Sequence, residues 1–262
     1  RCVLPAAAAA ARVMETGSVA HVEALAARAA EQGMKLDGDG LWKKGRRLKL
    51  EDEEALYAAL GLDWVPPELR EGTGEVEAAA EGRLPRLVDY DDLQGTFHCH
   101  TTWSDGRGTV AEMAEAAAAR GWRYLGIADH SVSAQYAGGL TVEEIRGQHA
   151  EIDAWNADRG GEVRLFKGVE ADILRDGSLD YDDDVLATFD YVIGSVHAGQ
   201  RMSREEMTRR IERAVRNPRL DILGHATGRL LLRREPYALD LDAIFDAAAE
   251  SGAAIEINGD PN

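Results

Sequence analysis

Short apolar runs alternate with helix-forming stretches from about residue 93 onward. The apolar runs lie near residues 95, 125, 165, 192, 222 and 255 and predict six strands. Helices are predicted between them, and Thr141 with Glu144 and Ser203 with Glu206 form capping boxes that mark two helix starts. This alternation predicts an α/β fold of parallel strands, curled toward a barrel, whose C-terminal strand ends share one edge.

The first 60 residues have a different pattern, which predicts a small α+β unit. Residues 19–32 form a helical segment between Ser18, a favoured N-cap, and Gly33, a favoured helix stop. A hairpin is predicted over residues 38–50 and a second helix over 51–60. Residues 61–92 hold three prolines and an acidic stretch, which favours a linker, so the predicted domains are residues 1–60 and 93–262.

Five of the seven histidines lie at or just after the ends of the predicted strands, and a glutamate ends another apolar run. Because parallel strands end at a common edge, these side chains are expected to converge with a nearby aspartate on a multinuclear metal site. Histidine and carboxylate ligands together favour Zn²⁺ or Mn²⁺. The candidate metal-binding and catalytic residues are His98, His100, Asp105, His130, Glu170, His197 and His225.

Each candidate also has an ordinary structural interpretation. His98 and His100 could be surface residues, Asp105 a turn residue before Gly106, and His130 a capping residue. Asp129 and Asp172 are predicted to orient the imidazoles or their loops. His21 and His149 lie on predicted helices and are expected to be solvated or structural. Arg229 and Arg233, with Arg234, are either a binding site for a substrate phosphate or ordinary surface arginines.

Composition narrows the function further. The 262 residues carry a formal charge of −17, which disfavours a basic DNA-binding module. An anionic phosphate-ester substrate is compatible with this charge only if bound metal ions offset it locally. Two distant cysteines give no disulfide framework, and this favours the reducing cytoplasm. No apolar stretch approaches the roughly 20 residues that a membrane span needs, so no membrane partner is expected.

Five segments together carry a resemblance to a known family: Phe97–Gly106, Ile127–Ser131, Gly168–Leu174, Ser195–His197 and Ile222–His225. They resemble the PHP (polymerase and histidinol phosphatase) domain. Two further segments, Pro66–Gly72 and Gly224–Leu230, narrow the resemblance to bacterial family X DNA polymerases with a C-terminal PHP domain. Thr16-Gly17-Ser18, with His21 following, resembles the end of their polymerase core.

The resemblance implies a distorted seven-stranded β/α barrel with up to three Zn²⁺ or Mn²⁺ ions. Residues 1–60 would be the C-terminal part of a polymerase core, and the last strand, with its Asp-x-His motif, would follow residue 262. By motif position, one ion is held by His98, His100 and Glu170, a second by Asp105 and His130, and a third by Glu170, His197 and His225.

The activity implied by the family is a 3′-5′ exonuclease, in which hydroxide activated by the metal cleaves phosphodiester bonds at DNA 3′ ends during DNA repair. The implied partners are gapped or single-stranded DNA and an upstream polymerase core of the same parent chain. Polymerase activity is not expected from this fragment alone. Two alternatives remain open: a phosphomonoesterase like histidinol phosphatase, and a non-catalytic metal-binding scaffold.

Overall fold

The computed structural model describes residues 2–159, 161–230 and 233–259. The chain divides into two compact units, Arg1–Val88 and Asp89–Asn262. Within the described residues, every helix is too short or too polar to cross a membrane.

The N-terminal unit combines helices with a small antiparallel sheet, in which each strand pairs with the next one along the chain. The predicted helix after Ser18 is confirmed, and the Ser18 hydroxyl caps it by accepting a hydrogen bond from the His21 amide. The elements of this unit are α1 Ala8–Thr16, α2 Val19–Glu31, β1 Met34–Asp37, β2 Gly40–Lys43, β3 Arg46–Arg47, α3 Glu53–Ala59 and α4 Glu75–Ala80.

The core of this unit includes part of the segment that the sequence predicted to be a linker. Val65, Val76 and Ala79 are buried in one cluster with Leu25 and Leu56. The compact unit accordingly continues to Val88. The prolines and glutamates suggested an exposed segment, whereas the apolar residues among them pack into the same core as residues of α2 and α3.

The C-terminal unit is built on a parallel sheet in which each strand pairs with the next one along the chain, and helices lie between the strands. The six strands predicted from the apolar runs are confirmed. The elements are β4 Gly95–Cys99, α5 Val110–Ala119, β5 Tyr124–Ile127, α6 Val142–Arg159, β6 Arg164–Asp172, α7 Asp183–Leu186, β7 Tyr191–Ser195, α8 Arg204–Val215, β8 Ile222–Leu223, α9 Leu241–Ser251 and β9 Ala254–Ile255.

The sheet is curled, and apolar side chains hold its strands in place. Parallel strands covered by helices on their faces are rich in apolar residues, and all five residues of β7 are buried. Although β4 and β9 lie at opposite ends of the strand order, the His98 Nδ1 atom on β4 lies 2.7 Å from Glu256 Oε1, just past β9. The curl therefore brings the C-terminal ends of β4 and β9 together, as expected for the predicted distorted β/α barrel without its seventh strand.

Candidate metal centre

Polar side chains lie at the C-terminal ends of successive parallel strands, along one edge of the sheet. His98 lies on β4 and His100 follows it, while Glu170 lies near the end of β6. His130 forms an isolated parallel bridge with Glu170. His197 follows β7 by two residues, and His225 follows β8 by two. The common direction of the strands is what gathers residues that are far apart in the sequence.

Glu170 is the centre of the cluster. It is 1% exposed, and its two carboxylate oxygens face five imidazoles. The distances to Oε1 are 3.2 Å from His98 Nε2, 3.2 Å from His197 Nε2 and 2.9 Å from His225 Nε2; those to Oε2 are 3.5 Å from His100 Nε2 and 3.1 Å from His130 Nδ1. Asp105 completes the set, 3.6 Å from His100 and 3.7 Å from His130.

All seven side chains predicted as ligands therefore lie in one cluster. Their donor atoms form three overlapping groups, within each of which all atoms lie within 4.8 Å of one another: His98, His100 and Glu170; His100, Asp105 and His130; and His130, Glu170 and His197. The third group contains His130 where the family pattern implies His225. His225 nevertheless contacts the same glutamate, so one carboxylate is shared by the whole set.

The electrostatics of the cluster favour an ionised glutamate. Burial raises the pKa of Glu170, but hydrogen bonds from His197, His225 and His98 outweigh it and hold the pKa far below its ordinary value. Burial alone would lower the pKa of His98, yet Glu170 and Glu256 raise it to about 10. For His100 the effect of burial prevails, and its pKa is lowered.

Two buried nitrogen atoms bear on whether a cation fits here. Within the described part of the chain, Nδ1 of His100 and Nδ1 of His130 have no hydrogen-bond partner. Burial lowers the pKa of His130 as well as that of His100, so both imidazoles are neutral near pH 7 and have a free lone pair. Buried lone pairs beside a carboxylate fit a divalent cation well.

Three further carboxylates hold the cluster in shape, and sequence reasoning anticipated two of them. Asp172 Oδ1 lies 2.5 Å from His197 Nδ1, so the opposite ring nitrogen faces Glu170. Asp129 accepts hydrogen bonds from the loop that carries Asp105, including that of the Thr101 amide at 2.7 Å. Both contacts match the predicted orienting roles.

Glu256 is the residue that sequence reasoning missed. Its carboxylate accepts from His98 Nδ1 at 2.7 Å and from the His225 amide at 2.7 Å. His225 has a φ of 23°, a strained conformation for a residue other than glycine. The available signal was an acidic residue directly after a short apolar strand, the same pattern that identified Glu170.

Arginines border the cavity next to the cluster. This cavity of about 920 Å³ is lined by His197 and His225 together with Arg229 and Arg234. The side chain of Arg234 donates to the Gly228 carbonyl at 2.8 Å. Arg233 lies on the same loop and is exposed. Of the arginines considered as phosphate ligands, Arg229 and Arg234 are thus the two beside the imidazoles.

The other residues singled out from the sequence lie elsewhere. Cys99 packs against an apolar cluster on the opposite side of β4 from its flanking histidines, and burial raises its pKa to about 11. His21 is buried, with Nδ1 2.5 Å from Glu75 and Nε2 2.8 Å from the Tyr57 hydroxyl. His149 packs edge-on against Phe189. These contacts give both histidines a structural role.

A curled parallel β/α sheet with imidazoles and carboxylates at its strand ends is typical of metal-dependent hydrolases. Residues 96–260 match the PHP domain, and residues 11–71 match the DNA polymerase beta thumb. The chain belongs to the PHP domain family. These matches support a metal-dependent phosphoesterase in the C-terminal unit.

Individual relatives agree with this assignment. The DNA polymerase/3′-5′ exonuclease PolX of Bacillus subtilis (strain 168) is 40% identical over 248 residues, which are 94% of this chain and 43% of that protein. The probable phosphatase TTE1963 of Caldanaerobacter subterraneus subsp. tengcongensis is 30% identical over 174 residues, 62% of this chain and 60% of that protein. The chain therefore spans less than two thirds of either relative.

Among solved structures, the histidinol phosphate phosphatase of Lactococcus lactis subsp. lactis Il1403, complexed with Zn, L-histidinol and phosphate, matches with a TM-score of 0.45. The two chains are 17% identical, and the match covers 63% of this chain and 73% of that one.

Proposed function

We propose that the C-terminal unit is a metal-dependent phosphodiesterase that removes nucleotides from DNA 3′ ends, a 3′-5′ exonuclease acting in DNA repair in the cytoplasm. The proposed cofactors are up to three Zn²⁺ or Mn²⁺ ions. The observation that carries the proposal is the buried Glu170 carboxylate, which lies within 3.5 Å of a nitrogen atom of each of five imidazoles. In this proposal, those imidazoles, Glu170 and Asp105 are the metal ligands and form the catalytic centre.

The residues of the cluster would have different roles in metal binding. Glu170 would bridge cations held by the surrounding imidazoles, and Asp105, which is half exposed, would supply an oxygen ligand at the open side. When bound, closely spaced divalent cations supply activated water and neutralise charge on the phosphoryl group. Asp172 and Glu256 accept from Nδ1 of His197 and His98, which directs Nε2 of each ring at Glu170, where it would bind a cation in place of a proton.

The adjoining cavity would receive the nucleotide. Arg229 and Arg234 line it on the side of His225, where a guanidinium could hold a phosphate by two parallel hydrogen bonds. Arg233, which was predicted with Arg229 for this role, is exposed on the same loop. It stays a candidate only for contacts to phosphates further along a DNA strand.

DNA and an upstream polymerase core are the proposed partners. The support is the match of residues 11–71 to the DNA polymerase beta thumb and the likeness to a protein named as both polymerase and 3′-5′ exonuclease. The substrate ends, gapped or single-stranded, are part of the same proposal.

The test compares two histidine variants on a single strand labelled at its 5′ end, with Mn²⁺ or Zn²⁺ added. A 3′-5′ exonuclease gives a ladder of successively shorter labelled products, and chelation of the metal abolishes it. His130→Ala is expected to lose at least 100-fold in rate, whereas His149→Ala, outside the cluster, retains the wild-type rate. No ladder from the wild-type chain, or equal rates for both variants, would contradict the proposal.

A phosphomonoesterase is the second candidate, supported by the similarity to the probable phosphatase. The rate of phosphate release from a small monoester, measured beside the exonuclease rate, separates the two. If the monoester is turned over faster by 100-fold or more, the second candidate replaces the first. Tight metal binding with neither activity would favour a scaffold.

A further inference from the structure

The positive charge of this acidic chain is concentrated in one hairpin of the N-terminal unit. Between residues 34 and 49 there are six lysines and arginines and two aspartates, so the segment carries +4 while the whole chain carries −17. Four of the five lysines of the chain lie in it. We call strands β1 to β3 with Lys44 and Lys49 the basic hairpin. The six cationic residues are Lys35, Lys43, Lys44, Arg46, Arg47 and Lys49.

One face of the basic hairpin is buried and the other is open. Met34, Leu36 and Leu41 turn into the core of the unit. The pairing register puts Trp42 directly opposite Lys35 on one side and Arg47 on the other, which places these three side chains together on the open face.

The open face thus presents an aromatic ring bordered by cations. The Arg47 guanidinium carbon lies 6.0 Å from the centre of the Trp42 ring. Of the two aspartates in the hairpin, Asp39 lies exposed in the turn. Asp37 accepts from the Trp42 indole at 2.9 Å and pairs with Lys35 at 2.8 Å. It therefore fixes the ring and offsets one charge. Lys35, Trp42 and Lys44 line a shallow cavity of about 480 Å³.

Most of these cations have no acidic partner. Among the described residues, Lys43, Lys44, Arg46 and Lys49 form no ion pair, and all four are exposed. The cations on β3 have an alternative explanation, because charged side chains on an edge strand prevent it from pairing with another chain. That role does not account for Lys43 on the central strand, for Lys44 in the turn, or for the half-exposed tryptophan between the charges.

The acidity of the rest of the molecule does not cancel this patch. At physiological salt, charges are screened beyond about 8 Å. A phosphate that touches the hairpin therefore responds mainly to the nearby cations, whereas distant carboxylates act weakly. Aromatic rings beside cations are how proteins bind single strands without sequence preference, because bases stack on the ring while the cations follow the phosphates.

We propose that the basic hairpin is a contact surface for single-stranded nucleic acid, with a base stacked on Trp42 and phosphates held by Lys35, Lys44 and Arg47. This inference rests on the proposed function in one respect, since it takes DNA as the ligand of the chain. It adds a binding surface that lies within the N-terminal unit and is independent of the metal cluster.

The experiment measures binding of the full chain to a fluorescein-labelled oligothymidylate by anisotropy, in EDTA, at several salt concentrations. Lys44→Glu/Arg47→Glu is compared with Arg146→Glu/Arg219→Glu, which changes the total charge equally at two exposed sites outside the hairpin. Because each phosphate contact on a single strand contributes about 0.7 to the slope of log K against log salt, the hairpin variant should lose about 1.4 and the control variant little.

The tryptophan provides a second, independent measurement. Trp42→Ala is expected to weaken binding roughly 5- to 150-fold, and Trp42→Phe, which keeps a ring, should retain most of the affinity. Melting curves check that each variant is folded. Equal affinity and equal salt slopes for wild type and hairpin variant would overturn the proposal, as would binding to anionic vesicles without binding to the oligonucleotide.

Hydrolysis of bis(p-nitrophenyl) phosphate with Mn²⁺ separates this proposal from the function proposed above. The hairpin variants should cleave this small diester at the wild-type rate. If the wild-type chain binds DNA in EDTA but cleaves no diester, the proposed function fails and the binding surface stands.

Discussion

Glu256→Gln tests whether the last strand controls the metal centre. In the wild type, the carboxylate accepts from both His98 Nδ1 and the His225 amide, each at 2.7 Å. Glutamine has the same shape and can still accept from the amide. Its NH₂ group would then face His98 Nδ1 and donate to it, which favours the tautomer with the proton on Nε2. That nitrogen is the one that faces Glu170, and a protonated nitrogen cannot bind a cation.

The expected loss follows from the role of such carboxylates. Removing the partner that orients a metal-binding histidine costs roughly 10- to 100-fold in affinity, or about 1.4–2.8 kcal/mol. Glu256 serves two of the imidazole-bearing residues, so the effect should lie toward the upper end. Glu256→Ala should also lower the free energy of unfolding by about 1–3 kcal/mol, because it leaves the His225 amide without a hydrogen-bond acceptor.

The assay is calorimetric titration of the chelator-treated chain with Mn²⁺, with melting curves in EDTA recorded beside it. Glu250→Gln is the matched control, because Glu250 lies on the exposed face of α9 and pairs only with Arg216 among the described residues. If Glu256→Gln binds Mn²⁺ as tightly as Glu250→Gln, the orienting role is refuted. A fall in melting temperature without a fall in affinity would make the residue purely structural.

Further expectations concern the same site and the N-terminal core. Asp172→Asn should lower Mn²⁺ affinity roughly 10- to 100-fold in the same titration, because it releases His197. Leu25→Ala, at a fully buried position, should lower the free energy of unfolding by about 2–5 kcal/mol in urea, whereas Val19→Ala, which is 76% exposed, should change it by less than about 0.5. Arg70→Met should cost about 3–5 kcal/mol in urea unfolding, because it strands the partly buried Glu53 carboxylate. A chelator should lower the melting temperature of protein purified with Mn²⁺, by an amount that grows with the starting metal concentration.

Much of the fold was predictable because the apolar runs and the helix-capping residues indicate the same alternation of strands and helices. The apolar runs give six strands, and the capping residues Thr141 and Ser203 mark helix starts that the structure reproduces. Convergence of His98 and Glu170 follows from parallel strands alone. The short helix α7 was missed, since its four residues are too few for a helical period.

The remaining features depend on packing that no short window of sequence contains. Residues 61–88 look like a linker by composition, yet Val65 and Val76 fill the core of the N-terminal unit. Glu256 acquires its role only when the sheet curls, since its partner His98 is 158 residues away. The open face of the basic hairpin likewise depends on the pairing register of Trp42.

The bond between His98 and Glu256 also bears on synthesis of the protein. It joins β4 to the residue that follows β9, so residue 256 must leave the ribosome before its carboxylate can hold His98. A nascent chain that stops at β8 would display its imidazoles without this restraint and would take up ions weakly. Metal binding at full affinity is therefore expected only after residue 256 has left the ribosome.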